Sequence, residues 1–273
     1  MRLPTWLAQH LAALRALVVL TIVLGLAYPL LMVAVARIPG LSGHADGSLL
    51  ARDGKHVGSA LIGQSFTDAQ GNPLERYFQS RPSAAGKGYD PTSTSASNLG
   101  PENIVDRPGK PSLLTQVCTR SKAVGEFEHV DGARPYCTPG GAGAVLAVYP
   151  DHAVSVNEDC PATPFINRYQ GRPVRCAKPG EDYSTGVTTP VRGNAPATPA
   201  VPADAVTASG SGLDPHVSVA YADLQIPRVA AARGLSQTRV RRLVQEHTDG
   251  RTLGFVGEPA VNVLELNLAL DRS

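Results

Sequence analysis

One uninterrupted apolar stretch near the N-terminus constrains this 273-residue chain more than any other feature. No charged side chain lies between Arg15 and Arg37. A helix over residues 16–36 would be about 31 Å long, which matches a hydrocarbon core of about 30 Å. The sequence therefore predicts one transmembrane helix here and, since nothing else in the chain is comparable, only one.

Two other interpretations of this stretch compete with an uncleaved anchor. Residues 34–36 have the A-x-A form of a signal-peptidase site, but the apolar region of a signal peptide spans only about 7–15 residues. A buried core helix rarely has so many consecutive apolar residues. We favour the anchor, in which local adjustments of the helix can satisfy the carbonyl that Pro29 leaves without a donor.

All four cysteines fall in one region after the apolar stretch: Cys118, Cys137, Cys160 and Cys176. No C-x-x-C pair is present, which disfavours a zinc ribbon or a redox dithiol. An even number of widely spaced cysteines after a membrane-targeting segment predicts two disulfides. Three pairings are open, and four unrelated buried thiols are the alternative.

The predicted disulfides also indicate an orientation. Disulfides persist in oxidising compartments, whereas flanking arginines on both sides of the span scarcely decide the topology. We therefore expect a single-pass protein of the cell membrane, with residues 1–15 cytoplasmic and residues 37–273 extracytoplasmic.

Composition and motifs exclude several functions. The 25 basic and 23 acidic residues give a net charge of +2, whereas a nucleic-acid-binding domain needs a strongly basic surface. The chain has no G-x-x-x-x-G-K-[ST], G-x-S-x-G or H-E-x-x-H motif, and its histidines lack ligand spacing. We expect no nucleic-acid partner, no catalytic residue, no metal site and no intrinsic cofactor.

Short apolar runs separated by turns predict the strands and loops. Residues 57–62 and 144–149 have the composition of strands, and alternating leucines predict a half-buried strand over residues 263–270. Residues 80–100 predict an irregular loop, and residues 184–203 a Pro-rich connector.

Helical periodicity is confined to the C-terminal region. It predicts helices over residues 216–233 and 237–247, with Ser218 and Ser236 as N-caps and Pro227 as a kink or break. Helices and short strands without a βαβ repeat are typical of the α+β class. The predicted fold is a single N-terminal transmembrane helix followed by one extracytoplasmic mixed α/β domain.

A run of small polar residues has two interpretations. It comprises Ser209, Gly210, Ser211 and Gly212, followed by Asp214. Exposed backbone N–H groups in such a run can bind an anion, or the glycines can supply the positive φ of a tight turn. We favour the turn, because no lysine follows.

Six blocks resemble successive motifs of the C subunit of the Kdp-type potassium-transporting ATPase, in the order of that family. They are GSALIGQSFT (58–67), YFQSRPSA (77–84), YDPTSTSASNLGP (89–101), VPADAVTASGSGLDPHVS (201–218), QIPRVAAARGLS (225–236) and GEPAVNVLELNLALD (257–271). Residues 102–200 depart from the pattern, since relatives have a shorter connection there and lack these cysteines. The resemblance implies a domain made of residues 37–101 and 201–273, with a Gly/Pro/Cys-rich insertion and linker between them.

The resemblance implies a non-catalytic accessory subunit of a high-affinity, ATP-driven potassium import complex. Its partners would be a potassium-channel-like A subunit, an ATP-hydrolysing B subunit and a small F subunit. The resemblance also implies a catalytic chaperone that stabilises assembly and raises the ATP affinity of the B subunit, so ATP is implied through that subunit. The residues alone leave an alternative, an independent membrane-anchored extracytoplasmic binding module.

Candidate contact residues come from the same resemblance and from the span. Positions inside the matching motifs are Gln64, Phe78, Arg81, Pro82, Ser83 and Asn98. In the span, the small residues Gly25 and Ala27 would let another helix approach closely.

Overall fold

The structure is a computed structural model that describes residues 4–96 and 98–272. It divides into two compact units, Met1–Ser59 and Ala60–Ser273. Together they confirm the predicted combination of one long apolar helix and a mixed α/β domain.

The first unit is dominated by the apolar helix, Thr5–Ala36, which begins earlier than predicted. Two helices, α1 (Thr5–Ile22) and α2 (Tyr28–Ala36), are joined by a π-helical turn, Val23–Ala27. Pro29 has no N–H, and its ring crowds the carbonyl four residues earlier, at Gly25. The π turn is the local adjustment that accommodates this residue.

A short hairpin follows the apolar helix within the first unit. After α3 (Ser42–Ala45), the strands β1 (Leu49–Arg52) and β2 (Lys55–Ser59) pair antiparallel. The strand predicted over residues 57–62 therefore begins earlier and ends at Ser59.

A five-stranded sheet occupies the cysteine region of the second unit. Its strands are β3 (Val145–Val148), β4 (Ala153–Asp159), β5 (Arg168–Tyr169), β6 (Arg172–Ala177) and β7 (Val187–Pro190), in the order β5-β6-β4-β3-β7. Only β4 and β6 pair in parallel. Strand β3 confirms the prediction for residues 144–149.

Strand β7 corrects the prediction of a connector over residues 184–203. It pairs along its full length with β3, from Val148 opposite Val187 to Val145 opposite Pro190. Its valine and threonines favour extended backbone, and its edge position tolerates the terminal proline.

Helix α4 (Leu113–Glu128) links the cysteine region to the C-terminal elements. Ser112 caps it, since its Oγ accepts a hydrogen bond from the N–H of Thr115 at 3.2 Å. At the other end, the Nε of Arg228 lies 3.0 Å from both carboxylate oxygens of Glu128. Both side chains are almost completely buried, so each charge depends on the other.

The C-terminal elements form a small antiparallel sheet and three helices. Strands β8 (His216–Ser218), β9 (Thr248–Asp249) and β10 (Ala260–Asn262) lie in the order β8-β10-β9. The helices are α5 (Val219–Arg233), α6 (Gln237–Glu246) and α7 (Val263–Leu270). A 3-10 turn, Ala203–Ala205, precedes them.

The strand predicted over residues 263–270 was wrong, because this segment is helix α7. Asn262 caps it by accepting the N–H of Glu265 at 3.1 Å. Burial follows the helical period, with Val263, Leu266 and Leu270 fully inside. Leucine, alanine and glutamate are also strong helix formers, so propensity and capping outweigh the alternation.

The first predicted C-terminal helix begins later than expected. Residues 216–218 form β8, and α5 starts at Val219 with Ser218 as its N-cap. Gly234 ends the helix in the left-handed conformation, and Pro227 lies inside it without a break. The second helix agrees with its prediction to within one residue.

The hydrophobic core joins two distant parts of the chain. Phe78 packs in one cluster with residues contributed by the segment 201–270, among them Val217, Ile226, Val240 and Leu266. The loop between residues 80 and 100 contains no helix or strand in its described part, as predicted.

Candidate functional site

The predicted motif residue Arg81 and the predicted Ser/Gly run come together in the second unit. The Nη1 of Arg81 lies 3.1 Å from Oδ2 of Asp214. Its Nε and Nη2 also donate to the carbonyl of Thr207, and Nη2 donates to that of Ala208, all at 3.3 Å. One guanidinium thus holds both ends of the run.

The run itself is a turn whose polar groups bond within the chain. The Oγ of Ser209 accepts the N–H of Gly212 at 2.9 Å, and the Oγ of Ser211 accepts the N–H of Leu213 at 3.1 Å. The Oγ of Ser83 donates to the carbonyl of Gly212 at 2.6 Å. These N–H groups have partners, and a carboxylate lies beside them, so the geometry supports the turn rather than an anion site.

Tyr89 closes this cluster from the side. Its hydroxyl donates to the carbonyl of Arg81 at 2.5 Å, and burial raises its pKa to about 12. The ring lies directly against Gly63, where a Cβ would collide with it. Gly63 also donates to the carbonyl of Leu213 at 2.8 Å, which brings a third segment to the turn.

His216 extends the cluster across the small sheet. Its Nδ1 lies 3.2 Å from Oδ1 of Asp214, and its Nε2 lies 3.5 Å from Oδ2 of Asp249. The hydrogen bond to Asp214 raises the pKa of His216, although partial burial opposes the shift. Burial also opposes, but does not reverse, the lowering of the pKa of Asp214 by its bonds to His216.

The cluster positions backbone and has no nucleophile–base pair among its members. In the part of the chain that the structure describes, no group of three His, Cys, Asp or Glu residues is arranged to hold a metal ion. The chemistry available here is ion pairing and hydrogen bonding that fix the segments 81–89 and 207–216 against each other.

The disulfides pair consecutive cysteines, Cys118 with Cys137 and Cys160 with Cys176. This chooses one of the three pairings that the sequence left open. The first bridge ties helix α4 to the segment before the five-stranded sheet. The second bridge joins Cys160, which directly follows β4, to Cys176 within β6.

An open cleft lies beside the five-stranded sheet. It has a volume of about 880 Å³, and the loops 102–111 and 178–184 form its walls. Charges of both signs face it, including Lys110, Lys178 and Glu181. Sequence reasoning did not predict it, since its walls come from loops without a recognisable motif.

Comparison with known proteins identifies the family. A model of the family described as K+-transporting ATPase, c chain, matches residues 10–133 and 182–272. This chain belongs to the KdpC family. Curated KdpC relatives include a potassium-transporting ATPase KdpC subunit of Kineococcus radiotolerans, 42% identical, which covers 98% of this chain and 95% of its own.

Two further KdpC relatives show the same extent of similarity. The KdpC subunit of Mycobacterium tuberculosis is 39% identical, over 97% of this chain and 98% of its own. That of Streptomyces coelicolor is 40% identical, over 95% of this chain and 90% of its own. Residues 134–181, which the family model leaves unmatched, contain most of the five-stranded sheet and the whole second disulfide.

The predicted KdpC contact positions differ in their surroundings. Phe78 is completely buried in the core of this chain. Asn98 is exposed, whereas Gln64, Pro82 and Ser83 are half-buried. In the apolar helix, Gly25 and Ala27 both fall within the π turn.

Sequence reasoning missed the hairpin between β9 and β10, which carries exposed Leu253 and Phe255. The run GRTLGFVG indicates this hairpin. Its glycines are typical of a turn, but the residues between them are large and apolar, whereas turns usually have polar residues. It lies inside the region that the KdpC family model matches.

Proposed function

We propose that this chain is the non-catalytic accessory subunit of a high-affinity, ATP-driven potassium import complex. It stabilises the assembly and acts as the catalytic chaperone that raises the ATP affinity of the B subunit. Its partners are the channel-like A subunit, the ATP-hydrolysing B subunit and the small F subunit. Membership of the KdpC family supports this role, because the curated relatives are named as subunits of that transporter.

The single observation that carries the proposal is that the apolar helix is not buried within this chain. No residue of Thr5–Ala36 is buried within the chain, although this helix is long and apolar enough to cross a membrane. Such a surface is stable only when lipid or other membrane helices cover it. The helix therefore suits a subunit that is held among other membrane-spanning chains.

The orientation we propose places residues 1–15 in the cytoplasm and the second unit outside. Two disulfides in the second unit support this orientation, since they persist in an oxidising compartment. In that arrangement the second unit does not meet cytosolic ATP, so its effect on the B subunit passes through the membrane helix or the A subunit. Protease protection in intact spheroplasts tests the orientation, and cleavage only after lysis would contradict it.

The coupling free energy that this chaperone role requires is small enough to come from one contact between membrane helices. A tenfold rise in ATP affinity corresponds to about 1.4 kcal/mol. Individual polar or small-residue contacts between membrane helices contribute about 0.6–2 kcal/mol. We place this contact at Gly25 and Ala27, where the π turn interrupts the regular helix.

The experiment uses the reconstituted complex with Gly25→Leu, Ala27→Leu and, as a control on the same helix, Ala34→Leu. We expect the first two to lower the yield of complex or to raise the KM for ATP several-fold, with the control unchanged. Unchanged values for all three would contradict the helix contact. A tagged wild-type chain that purifies from detergent as a free monomer would instead favour the independent binding module.

A further inference from the structure

The hairpin between β9 and β10 ends in three exposed apolar side chains, which we call the apolar tip: Leu253, Phe255 and Val256. They are 81%, 72% and 49% exposed. Other large apolar side chains exposed on the described part of the second unit, such as Leu99 and Val187, are scattered along the chain. Scattered residues need no explanation, but a cluster of this kind marks an interaction site.

The tip is also held in an unfavourable conformation. Thr252 and Val256 exchange two backbone hydrogen bonds of 2.9 Å, so the hairpin is ordered up to its turn. The turn residues Leu253 and Gly254 have φ of +56° and +81°. Such a turn favours Asn-Gly, and leucine is disfavoured in the left-handed region.

Leu253 is therefore unfavourable in two ways: its backbone has a positive φ, and its apolar side chain is exposed to solvent. Asparagine at this position would relieve both penalties, because it tolerates positive φ and is polar. A residue that breaks two local rules at an exposed position indicates a function outside the free domain.

The chemistry of the hairpin favours a protein as the occupant. At its neck, Nη2 of Arg251 lies 2.7 Å from Oε2 of Glu258, which leaves the hairpin without an unpaired basic group. Basic groups of this kind strengthen binding to anionic lipid surfaces. A fixed turn suits a pocket of fixed shape, which a bilayer does not offer.

A second copy of this chain is a poor occupant. Three side chains present less area than the roughly 800 Å² per partner that a stable interface buries, so the tip alone cannot hold two copies together. They are the right size for an anchor that fills one pocket within a larger contact.

We propose that the apolar tip inserts into an apolar pocket on another protein chain of the potassium-transporting complex. This inference rests on the proposed function, which requires such a chain. It adds to that function a defined contact on the second unit, separate from the membrane helix.

The test compares tagged full-length chains that are co-expressed with the other chains of the complex and purified in detergent. The variants are Leu253→Asn, Phe255→Thr and the double variant. Val187→Thr is the matched control, since Val187 is 69% exposed in the same unit. We expect the double variant to recover at least about tenfold less of the partner chains, as for loss of an anchor residue.

Leu253→Asn separates docking from folding. We expect the isolated variant chain to unfold at the same or a higher temperature than wild type, while its recovery of partners falls. Equal recovery by wild type and the double variant would overturn the docking inference alone. A wild-type chain that recovers no partner would overturn the proposed function and the inference together.

A photocrosslinker identifies the occupant without removing the aromatic ring. With p-benzoylphenylalanine in place of Phe255, irradiation should join this chain to another protein of the complex. An adduct with lipid, an adduct with a second copy, or no adduct would each contradict the proposal.

Discussion

The side-chain amide of Asn267 bonds both backbone groups of Phe78. Its Oδ1 accepts the N–H of Phe78 at 2.9 Å, and its Nδ2 donates to the carbonyl at 3.0 Å. Gln225 does the same for Gln79, at 2.6 Å and 3.2 Å. Two amides from α7 and α5 thus take the place of a neighbouring strand for this extended segment.

This relationship predicts that Asn267→Leu destabilises the chain strongly. Leucine has a similar volume, but it leaves the buried N–H and carbonyl of Phe78 without partners. Each unsatisfied group costs about 1–3 kcal/mol, so we expect a loss of about 2–6 kcal/mol for the two groups. Urea unfolding of the full chain in detergent measures it, with the exposed Asn194→Leu as a control that stays within about 0.5 kcal/mol. A loss no greater than that of the control would refute the role of Asn267.

The sequence predicts features that depend on neighbouring residues better than those that depend on the tertiary fold. Serine caps at positions 218 and 236 and strand β3 were predictable, because these features depend on neighbouring residues. The segment 263–270 fits two periods, and its helix propensity, its cap at Asn262 and the packing of α7 together decide between them. The pairing of Arg81 with Asp214, across 133 positions, depends on the tertiary fold and leaves no local signal.

Gly63→Ala should destabilise the cluster around Arg81. The added Cβ would collide with the ring of Tyr89, which cannot move freely because its hydroxyl is bonded to Arg81. Overpacking of this kind costs about 1–3 kcal/mol. Gly210→Ala is the matched control in the adjoining turn, since a Cβ there meets no atom within 4 Å. Equal thermal stability of the two variants would contradict the steric argument.

The stability of the chain should depend on pH through His216. Its pKa is raised in the folded state, so its contribution is fully present below the unfolded value of about 6.5 and is lost as the pH rises through the folded pKa. Because the pair with Asp214 is partly exposed, we expect less than about 1 kcal/mol. His216→Gln should remove this part of the pH dependence, measured as the midpoint of urea unfolding between pH 6 and pH 8. An identical pH profile for the variant would exclude His216 as its source.

The stabilisation that Asp214 provides should depend on pH with the opposite sign to that of His216. Its folded pKa is lowered, so its stabilisation is present above the unfolded value of about 3.9 and is lost as the pH falls through the folded pKa. We expect Asp214→Asn to flatten the acid limb of the stability profile below about pH 4. The same variant leaves Arg81 without its carboxylate at neutral pH, so its stability there should also fall. An unchanged acid limb would contradict this assignment.

Reduction of the disulfides should weaken the cysteine region. The bridges close segments with sequence separations of 19 and 16. Loop closure of this length stabilises a fold by about 3 kcal/mol per bridge. Alkylation of the unfolded chain without reductant should label none of the four cysteines, whereas thermal unfolding should occur at a lower temperature after reduction. The paired substitution Cys118→Ser with Cys137→Ser should lower the unfolding temperature of the full chain in the absence of reductant. Four labelled thiols without reductant would disprove both the pairing and the extracytoplasmic placement inferred from it.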